Sequence, residues 1–221
     1  MHTTVKIPKL LEDTYIFPDP LRADKNGLLA WGGDLHPQRL LEAYAQGIFP
    51  WFSKNDPLLW WSPDPRAILY PYELKISKSF RQSIGKYEVR FNVDFAQIMA
   101  TCKDMRADTW IDWRMQEAYL KLHEMGYAKS VGTYLDGVLV GGLYGVMMGA
   151  VFCGESMFSK ERDASKVALA KLCEMMVQAG GDFIDCQMPT DHLLSLGAIK
   201  IYRKDFIKKL SISRDKKVVF L

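Results

Sequence analysis

The chain has 221 residues, of which 48% are hydrophobic and 25% charged, a composition that suits a sizeable globular core and excludes disorder throughout. Its formal net charge is only +3, and it contains no run of about 18 apolar residues that could cross a membrane. The first residues lack the apolar core of a signal peptide, and the four cysteines have no CxxC spacing. We therefore expect a cytoplasmic protein with reduced thiols.

The first part of the chain, residues 1–62, is rich in Pro, Gly and Trp and predicts a small N-terminal domain. Its one clear helix begins at Pro37, a residue suited to the first helical position, and ends near Gly47. His36 is placed to cap that helix. Because several aromatic residues stand beside turn formers, we expect this domain to present an apolar wall.

The second part, residues 63–221, has an α/β pattern in which helical and strand-like segments follow one another. In chain order the pattern predicts a helix over 115–125, strands over 130–134, 138–147 and 150–153, a helix over 164–179, a strand over 183–187, a short helix from Thr190 to Gly197, and a last strand over 198–206. Asp136-Gly137 is a strong hairpin turn. Antiparallel strands followed by helix, strand, helix and strand predict an acetyltransferase-like α/β (α+β) domain.

Most familiar catalytic motifs are absent. The sequence has no GxSxG, HExxH or Walker loop, and its four histidines form no pair with metal-ligand spacing. An acyl-CoA acetyltransferase needs a glycine-rich turn whose backbone amides hold the pyrophosphate. The equivalent stretch, residues 153–163, has no such glycine pair. We expect no metal and a donor other than CoA.

Two sets of polar residues are candidates for chemistry. In the strand Asp185-Cys186-Gln187, alternate residues share a face, so the carboxylate and the carboxamide should point one way and the thiol the other. A carboxamide oxygen polarised by a carboxylate can accept a hydrogen bond from an amine. Alternatively, these polar side chains could form hydrogen bonds with neighbouring loops. Glu155 could hold a substrate ammonium, or it could cap the turn after its strand.

The end of the chain is basic. Residues 200–217 contain eight Lys or Arg against two Asp, a local charge of +6. A polyanionic partner and a solvated tail both agree with this pattern.

At several of these segments the sequence closely resembles the leucyl/phenylalanyl-tRNA–protein transferase family. The matching strings extend from about Phe17 to Phe206 and occur in the family's order. They are GLLAWGGDL, LLEAYAQGIFPWF, WWSPDPRAIL, TWI, LVGGLYGV, FCGESMFS, DASKVAL, DCQ and HLLSLGA.

The resemblance implies a GNAT-like catalytic domain behind a small N-terminal domain, and it implies no cofactor. It also implies transfer of Leu or Phe, sometimes Met, from aminoacyl-tRNA to proteins that begin with Arg or Lys, which marks them for N-end-rule degradation. Carried over by residue, it implies a pocket wall of Trp51, Trp110, Leu143 and Phe152, an amine-contacting Glu155, and a catalytic pair of Asp185 and Gln187.

The chain departs from the family's pattern at Lys129 to Tyr134. Similar proteins read His-Ser-Val-Glu-x-Trp there, whereas this chain reads Lys-Ser-Val-Gly-Thr-Tyr. We expect the acceptor-peptide channel or the local packing to differ at this point.

The reaction implied is aminolysis of an already activated ester. An α-amine has a pKa of roughly 7.7–8.0, so an appreciable fraction is neutral at cellular pH and no strong base is needed. We expect Gln187 to orient the amine and to pass its proton toward Asp185.

Three other functions are alternatives to this one. A peptidoglycan-precursor ligase that uses aminoacyl-tRNA would need two copies of the fold, and an acyl-CoA acetyltransferase would need the missing pyrophosphate turn. A non-catalytic RNA-binding module would explain the basic end and the aromatic residues, but it gives no reason for Asp185 and Gln187 to lie beside Glu155.

Overall fold

The computed structural model describes residues 7–53, 56–105 and 111–219. The strands in these ranges are β1 (Lys9–Leu10), β2 (Leu28–Gly32), β3 (Phe49–Pro50), β4 (Leu59–Trp61), β5 (Arg66–Leu69), β6 (Glu88–Phe91), β7 (Ala128–Leu135), β8 (Val138–Met148), β9 (Val151–Ser159), β10 (Phe183–Gln187) and β11 (Ile199–Ile201). The α-helices are α1 (Pro37–Ala45), α2 (Lys78–Ile84), α3 (Phe95–Asp104), α4 (Trp113–Glu124), α5 (Ala164–Ala179), α6 (Asp191–Ser195) and α7 (Arg203–Ser213).

The strands form two sheets. The first has the order β1-β2-β4-β3 and the second the order β11-β5-β10-β9-β8-β7-β6. In the second sheet β7, β8 and β9 are antiparallel neighbours, α5 follows, and β10 then pairs in parallel with β9. This is the acetyltransferase-like order predicted from the sequence, and the α/β class is confirmed.

Local sequence signals explain several element boundaries. Asp136 and Gly137 both have positive φ, of 51° and 77°, as a two-residue hairpin turn of the primed type requires. Pro37 occupies the first position of α1, and the Nδ1 atom of His36 accepts a hydrogen bond of 3.3 Å from the Gln38 amide. Gly180, with φ of 80°, ends α5. The predicted hairpin, helix start and helix end are therefore confirmed.

Two predicted strands have different bounds. The strand expected over 198–206 is wrong, because β11 covers only Ile199–Ile201 and α7 begins at Arg203. The helix buries Phe206 and Leu210, which are four residues apart on one face. This apolar spacing favours a helix over a strand. The strand expected to end at Cys153 continues to Ser159. Glu155 consequently lies inside a strand and not at its end.

One apolar core connects the two sheets. Buried side chains of the first sheet and α1 pack with those of α3, α4 and α7 against one face of the second sheet. Side chains of α5 cover the opposite face. None of the helices described is long and apolar enough to span a bilayer. The first sheet ends at Trp61, and the domain boundary predicted at residue 62 remains a proposal.

We predict that Gly145→Ala destabilises the protein, because Gly145 lies opposite Gly154 where β8 and β9 change register. A Cβ atom there would lie 2.2 Å from the backbone oxygen of Cys153 and 2.7 Å from the Phe152 ring. The free energy of unfolding, measured by urea denaturation, should fall by about 1–3 kcal/mol. Gly85→Ala is the matched control, since nothing lies within 4 Å of that Cβ position. Equal midpoints for the two variants would contradict the prediction.

Candidate active site

A cavity opens where the pairing between β9 and β10 ends. The parallel pairs run from Val151 with Phe183 to Cys153 with Asp185. The residues that follow on each strand, 154–157 and 186–188, line the cavity. The end of the ladder thus leaves room for a ligand between two neighbouring strands.

The cavity has a volume of about 520 Å³, within the roughly 300–1,000 Å³ that is usual for ligand clefts. Most of its wall is apolar and comes from β3 and the residue after it, from β8, β9 and β10, and from α5 and α6. These residues include Phe49, Pro50, Trp51, Leu143, Phe152, Met157, Leu169, Leu172, Ile184 and Leu193. Its polar lining residues include Tyr144, Glu155, Ser156, Gln187, Thr190 and His192. Such a cavity suits an apolar side chain that carries a polar reacting group.

Asp185 lies behind the cavity wall in a buried ion pair. Its two carboxylate oxygens accept hydrogen bonds from Nε and Nη2 of Arg66, at 2.8 and 2.6 Å, and the two side chains are 2% and 1% exposed. Nη1 of Arg66 donates to the Gly47 carbonyl oxygen at 3.0 Å. The same Asp185 carboxylate also accepts a 2.9 Å hydrogen bond from the backbone amide of Gln187. Asp185 is therefore held in place and, in turn, holds the backbone of Gln187.

Gln187 lies at an irregularity near the end of its strand. β10 has a bulge at Cys186 in its pairing with β5, and Gln187 adopts a left-handed conformation with φ of 61°. Both Cys186 and Gln187 line the cavity. Cys186 packs with the apolar cluster on the α5 side of the sheet, whereas Gln187 is bonded to Glu155 and Asp185 to Arg66 on the opposite side, where α1 and α7 lie. The prediction that Asp185 and Gln187 share a face opposite Cys186 agrees with these contacts, although a bulge separates the two residues.

Glu155 is the group to which the Gln187 carboxamide is bonded. Nε2 of Gln187 donates to Oε1 of Glu155 at 2.7 Å. Glu155 is itself the extra residue of a bulge in β9, since Tyr144 pairs with Ser156 and Gly145 with Gly154. The residue is 9% exposed and lines the cavity at this bulge.

Two buried tyrosines complete the surroundings of Glu155. The hydroxyl of Tyr44, on α1, donates to Oε1 at 2.7 Å, and that of Tyr119, on α4, donates to Oε2 at 3.2 Å. The two hydroxyls also contact each other. Burial raises the pKa of Glu155 to about 7, while the hydrogen bonds from the tyrosines and Gln187 oppose that rise. Burial, followed by the charge of Glu155, raises the pKa of both tyrosines.

Most of the residues singled out from the sequence meet at this cavity. Trp51, Leu143, Phe152, Glu155 and Gln187 line it. Trp110 lies outside the described residues. Three residues that shape the site, Tyr44, Tyr119 and Arg66, were not predicted from the sequence. Tyr44 and Tyr119 lie among the buried residues of α1 and α4, where helical spacing indicates only a core position. No local pattern pairs Arg66 with a residue 119 positions away.

The departure at Gly132 and Tyr134 lies away from the cavity. A Cβ atom on Gly132 would lie 2.9 Å from the Tyr134 ring. The Tyr134 hydroxyl donates to Asp94 at 2.9 Å, and the Arg90 guanidinium lies 4.2 Å from the centre of its ring. The tyrosine ring thus covers the glycine on the sheet face toward α3.

Comparison with known proteins identifies the family. The model described as "Leucyl/phenylalanyl-tRNA protein transferase" matches residues 68–211, and that of the family's N-terminal domain matches residues 33–64. The chain therefore belongs to the leucyl/phenylalanyl-tRNA protein transferase family and is an aminoacyltransferase. The resemblance found in the sequence is confirmed.

Relatives with this description match nearly the whole chain. One from Sulfurimonas denitrificans is 50% identical, over 92% of this chain and 91% of its own length. One from Nitrosospira multiformis is 53% identical, over 92% and 90%. Among solved structures, a GCN5-related N-acetyltransferase from Kribbella flavida covers 72% of this chain and 58% of its own at 13% identity, with a TM-score of 0.40, too weak a likeness to support an argument.

We predict that Asp185→Asn strongly destabilises the protein, because it leaves the Arg66 charge buried without its counter-charge. Loss of one partner of a buried pair typically costs about 3–5 kcal/mol. Glu117→Gln is the matched control, since it breaks an exposed pair with Lys121 and should change stability by about 0.5 kcal/mol or less. Urea denaturation of both variants checks this prediction, and similar small losses would contradict it.

Proposed function

We propose that this chain transfers leucine or phenylalanine, and also methionine, from aminoacyl-tRNA to the N-terminal Arg or Lys of acceptor proteins, which marks them for N-end-rule degradation. The observation that carries this proposal is the apolar cavity with Glu155 and Gln187 in its lining. Membership of the family supports the choice of donor and acceptor. Because charged tRNA is a cytoplasmic substrate, we propose that the chain acts in the cytoplasm.

The donor's side chain occupies the apolar part of the cavity. Leu143 and Phe152 on the strands and Leu169 and Leu172 on α5 surround this space. Apolar contacts discriminate by only about 1–3 kcal/mol per methylene, so preference for Leu or Phe over Val or Ile depends on a shape that rejects branching at Cβ. Trp51, 43% exposed at the edge of the cavity, offers a ring on which a base of the tRNA stacks.

The reaction is attack of the acceptor's α-amine on the ester carbonyl. Holding the two groups together contributes up to about 7–11 kcal/mol in favourable cases. The Nε2 atom of Gln187 is bonded to Glu155, which leaves the carboxamide oxygen to accept a hydrogen bond from the amine. In this role Gln187 orients the amine, and Asp185 fixes the Gln187 backbone.

The tRNA is held mainly through its phosphates by the basic residues of 200–217. α7 carries the middle of this segment, and the exposed cations on and around it are Lys200, Lys204, Lys208, Lys209, Lys216 and Lys217. Arg203 is not part of this surface, because it is 6% exposed and donates to the carbonyl oxygens of Pro20 and Ala23. Lys216 pairs with Asp182.

A transfer assay tests the proposed function directly. The protein is incubated with labelled Phe-tRNA and a peptide that begins with Arg, and the expected result is label at that N-terminus. Leu-tRNA should serve as well, whereas Val-tRNA and Ile-tRNA should transfer poorly, since side chains branched at Cβ fit the cavity badly. A peptide that begins with Asp is the matched acceptor control. Absence of label on the Arg peptide, with folded protein and intact Phe-tRNA, would refute the proposal.

Salt dependence tests the tRNA contact. Because phosphate contacts release bound counterions, the affinity for tRNA should fall steeply between 50 and 200 mM salt, and each lost contact should reduce the slope by about 0.7–0.9. Lys208→Gln and Lys209→Gln should each weaken binding and flatten the slope, as filter binding at several salt concentrations measures. Lys121→Gln, an exposed lysine of α4, is the control. Slopes identical to that of the original chain would reject α7 as the contact surface.

A further inference from the structure

Two carboxylates lie next to Gln187, and only one of them is arranged to take a proton. Both oxygens of Asp185 are bonded to a guanidinium that is always charged. The Asp185 carboxylate also accepts from the Gln187 backbone amide. Protonation of Asp185 would break an ion pair that is almost completely buried, leaving the Arg66 charge without compensation.

Glu155 has the opposite arrangement. Its hydrogen-bond partners are the neutral groups of Tyr44, Tyr119 and Gln187, so it can gain a proton without exposing a buried counter-charge. It lines the cavity directly, and its Oε2 atom carries the longer of the two tyrosine hydrogen bonds, at 3.2 Å. It is also the carboxylate that the Gln187 carboxamide contacts.

We propose that Glu155 is the proton acceptor of the transfer reaction and that Tyr44 and Tyr119 are its positioning residues. This inference rests on the proposed function and deepens it. It replaces Asp185, the acceptor expected from the sequence, by the carboxylate to which Gln187 is bonded. Asp185 keeps a positioning role through the Gln187 backbone.

The step balances without a further reactant. The neutral α-amine forms a bond from its nitrogen to the ester carbonyl carbon, and the bond from that carbon to the ribose oxygen breaks. The proton lost by the nitrogen passes to the Glu155 carboxylate. Glu155 then gives this proton to the departing ribose oxygen, so a tRNA hydroxyl and a peptide bond are formed and the carboxylate is restored.

The titration of Glu155 depends on every group that faces it. The groups in contact with it or acting on it are Tyr44 on α1, Tyr119 on α4, Asp185 and Gln187 on β10, and Cys153 on its own strand. Arg66 is paired with Asp185, and Cys186 and His192 line the same cavity. Asp185 raises the pKa of Glu155, and each tyrosine hydrogen bond lowers it. Removing a tyrosine hydroxyl should consequently move the pKa of Glu155 upward.

The experiment is a set of pH profiles of the single-turnover transfer rate, with Phe-tRNA and an Arg peptide at saturating concentration. Glu155→Gln should lower the rate by about 10²-fold or more, the usual contribution of a general base. Tyr44→Phe and Tyr119→Phe should keep most of the rate at high pH and shift the midpoint of the acidic limb to higher pH. The acceptor's amine has the same pKa in every variant, so this shift reports a group of the enzyme.

Tyr87→Phe is the matched control, since that variant also loses a buried tyrosine hydroxyl, one that donates to the Arg162 carbonyl oxygen at 2.6 Å. Its profile should superimpose on that of the original chain. Circular dichroism shows which variants are folded, and Glu155→Asp, which keeps a carboxylate, should recover part of the rate.

Two results overturn the inference while leaving the proposed function intact. One is a Glu155→Gln variant with an undiminished rate, and the other is unmoved midpoints in both folded tyrosine variants, which would point back to Asp185. Failure of the original chain to transfer any label, by contrast, overturns the proposed function itself.

Discussion

The buried ion pair between Arg66 and Asp185 joins parts of the chain that are 119 residues apart. Burial of two charges is costly and is offset only when every donor and acceptor is satisfied. Here the guanidinium makes two bonds to the carboxylate and one to the Gly47 carbonyl. Its central carbon also lies 4.9 and 4.3 Å from the ring centres of Phe49 and Phe206. The pair therefore fixes the first sheet, the second sheet and α7 around the backbone of Gln187.

From that fixed point, two bulges generate the polar part of the cavity. A regular strand pairs one residue with one partner on its neighbour, and both Glu155 and Gln187 lie where that pairing is interrupted. Glu155 is the extra residue in β9, and Gln187 adopts a left-handed conformation after the bulge in β10. The two side chains meet at 2.7 Å just beyond the last pair of the parallel ladder. The irregularities thus build the site, whereas the regular strands supply its apolar walls.

This division explains what could be predicted from the sequence. Local signals predicted the Asp136-Gly137 hairpin and α5, because turn chemistry and helical spacing depend on neighbouring residues. The resemblance to the family supplied Leu143, Phe152 and Glu155, all of which line the cavity. The partners of Glu155 on α1 and α4 and the partner of Asp185 on β5 depend on how distant elements pack, for which one sequence holds no signal. The left-handed conformation of Gln187 was not predicted, because a bulge leaves no signature in the sequence of a short polar strand end.

The cavity also couples donor binding to the properties of Glu155. Apolar residues that suit a Leu or Phe side chain line the same cavity as Glu155, and burial raises the pKa of that carboxylate. A donor side chain that fills the cavity excludes more water and so favours transfer of a proton from the amine to Glu155. The tyrosine and Gln187 hydrogen bonds limit the rise, which keeps the carboxylate available as a base near neutral pH. In this arrangement, an apolar donor that fills the cavity also acts on the base that lines it.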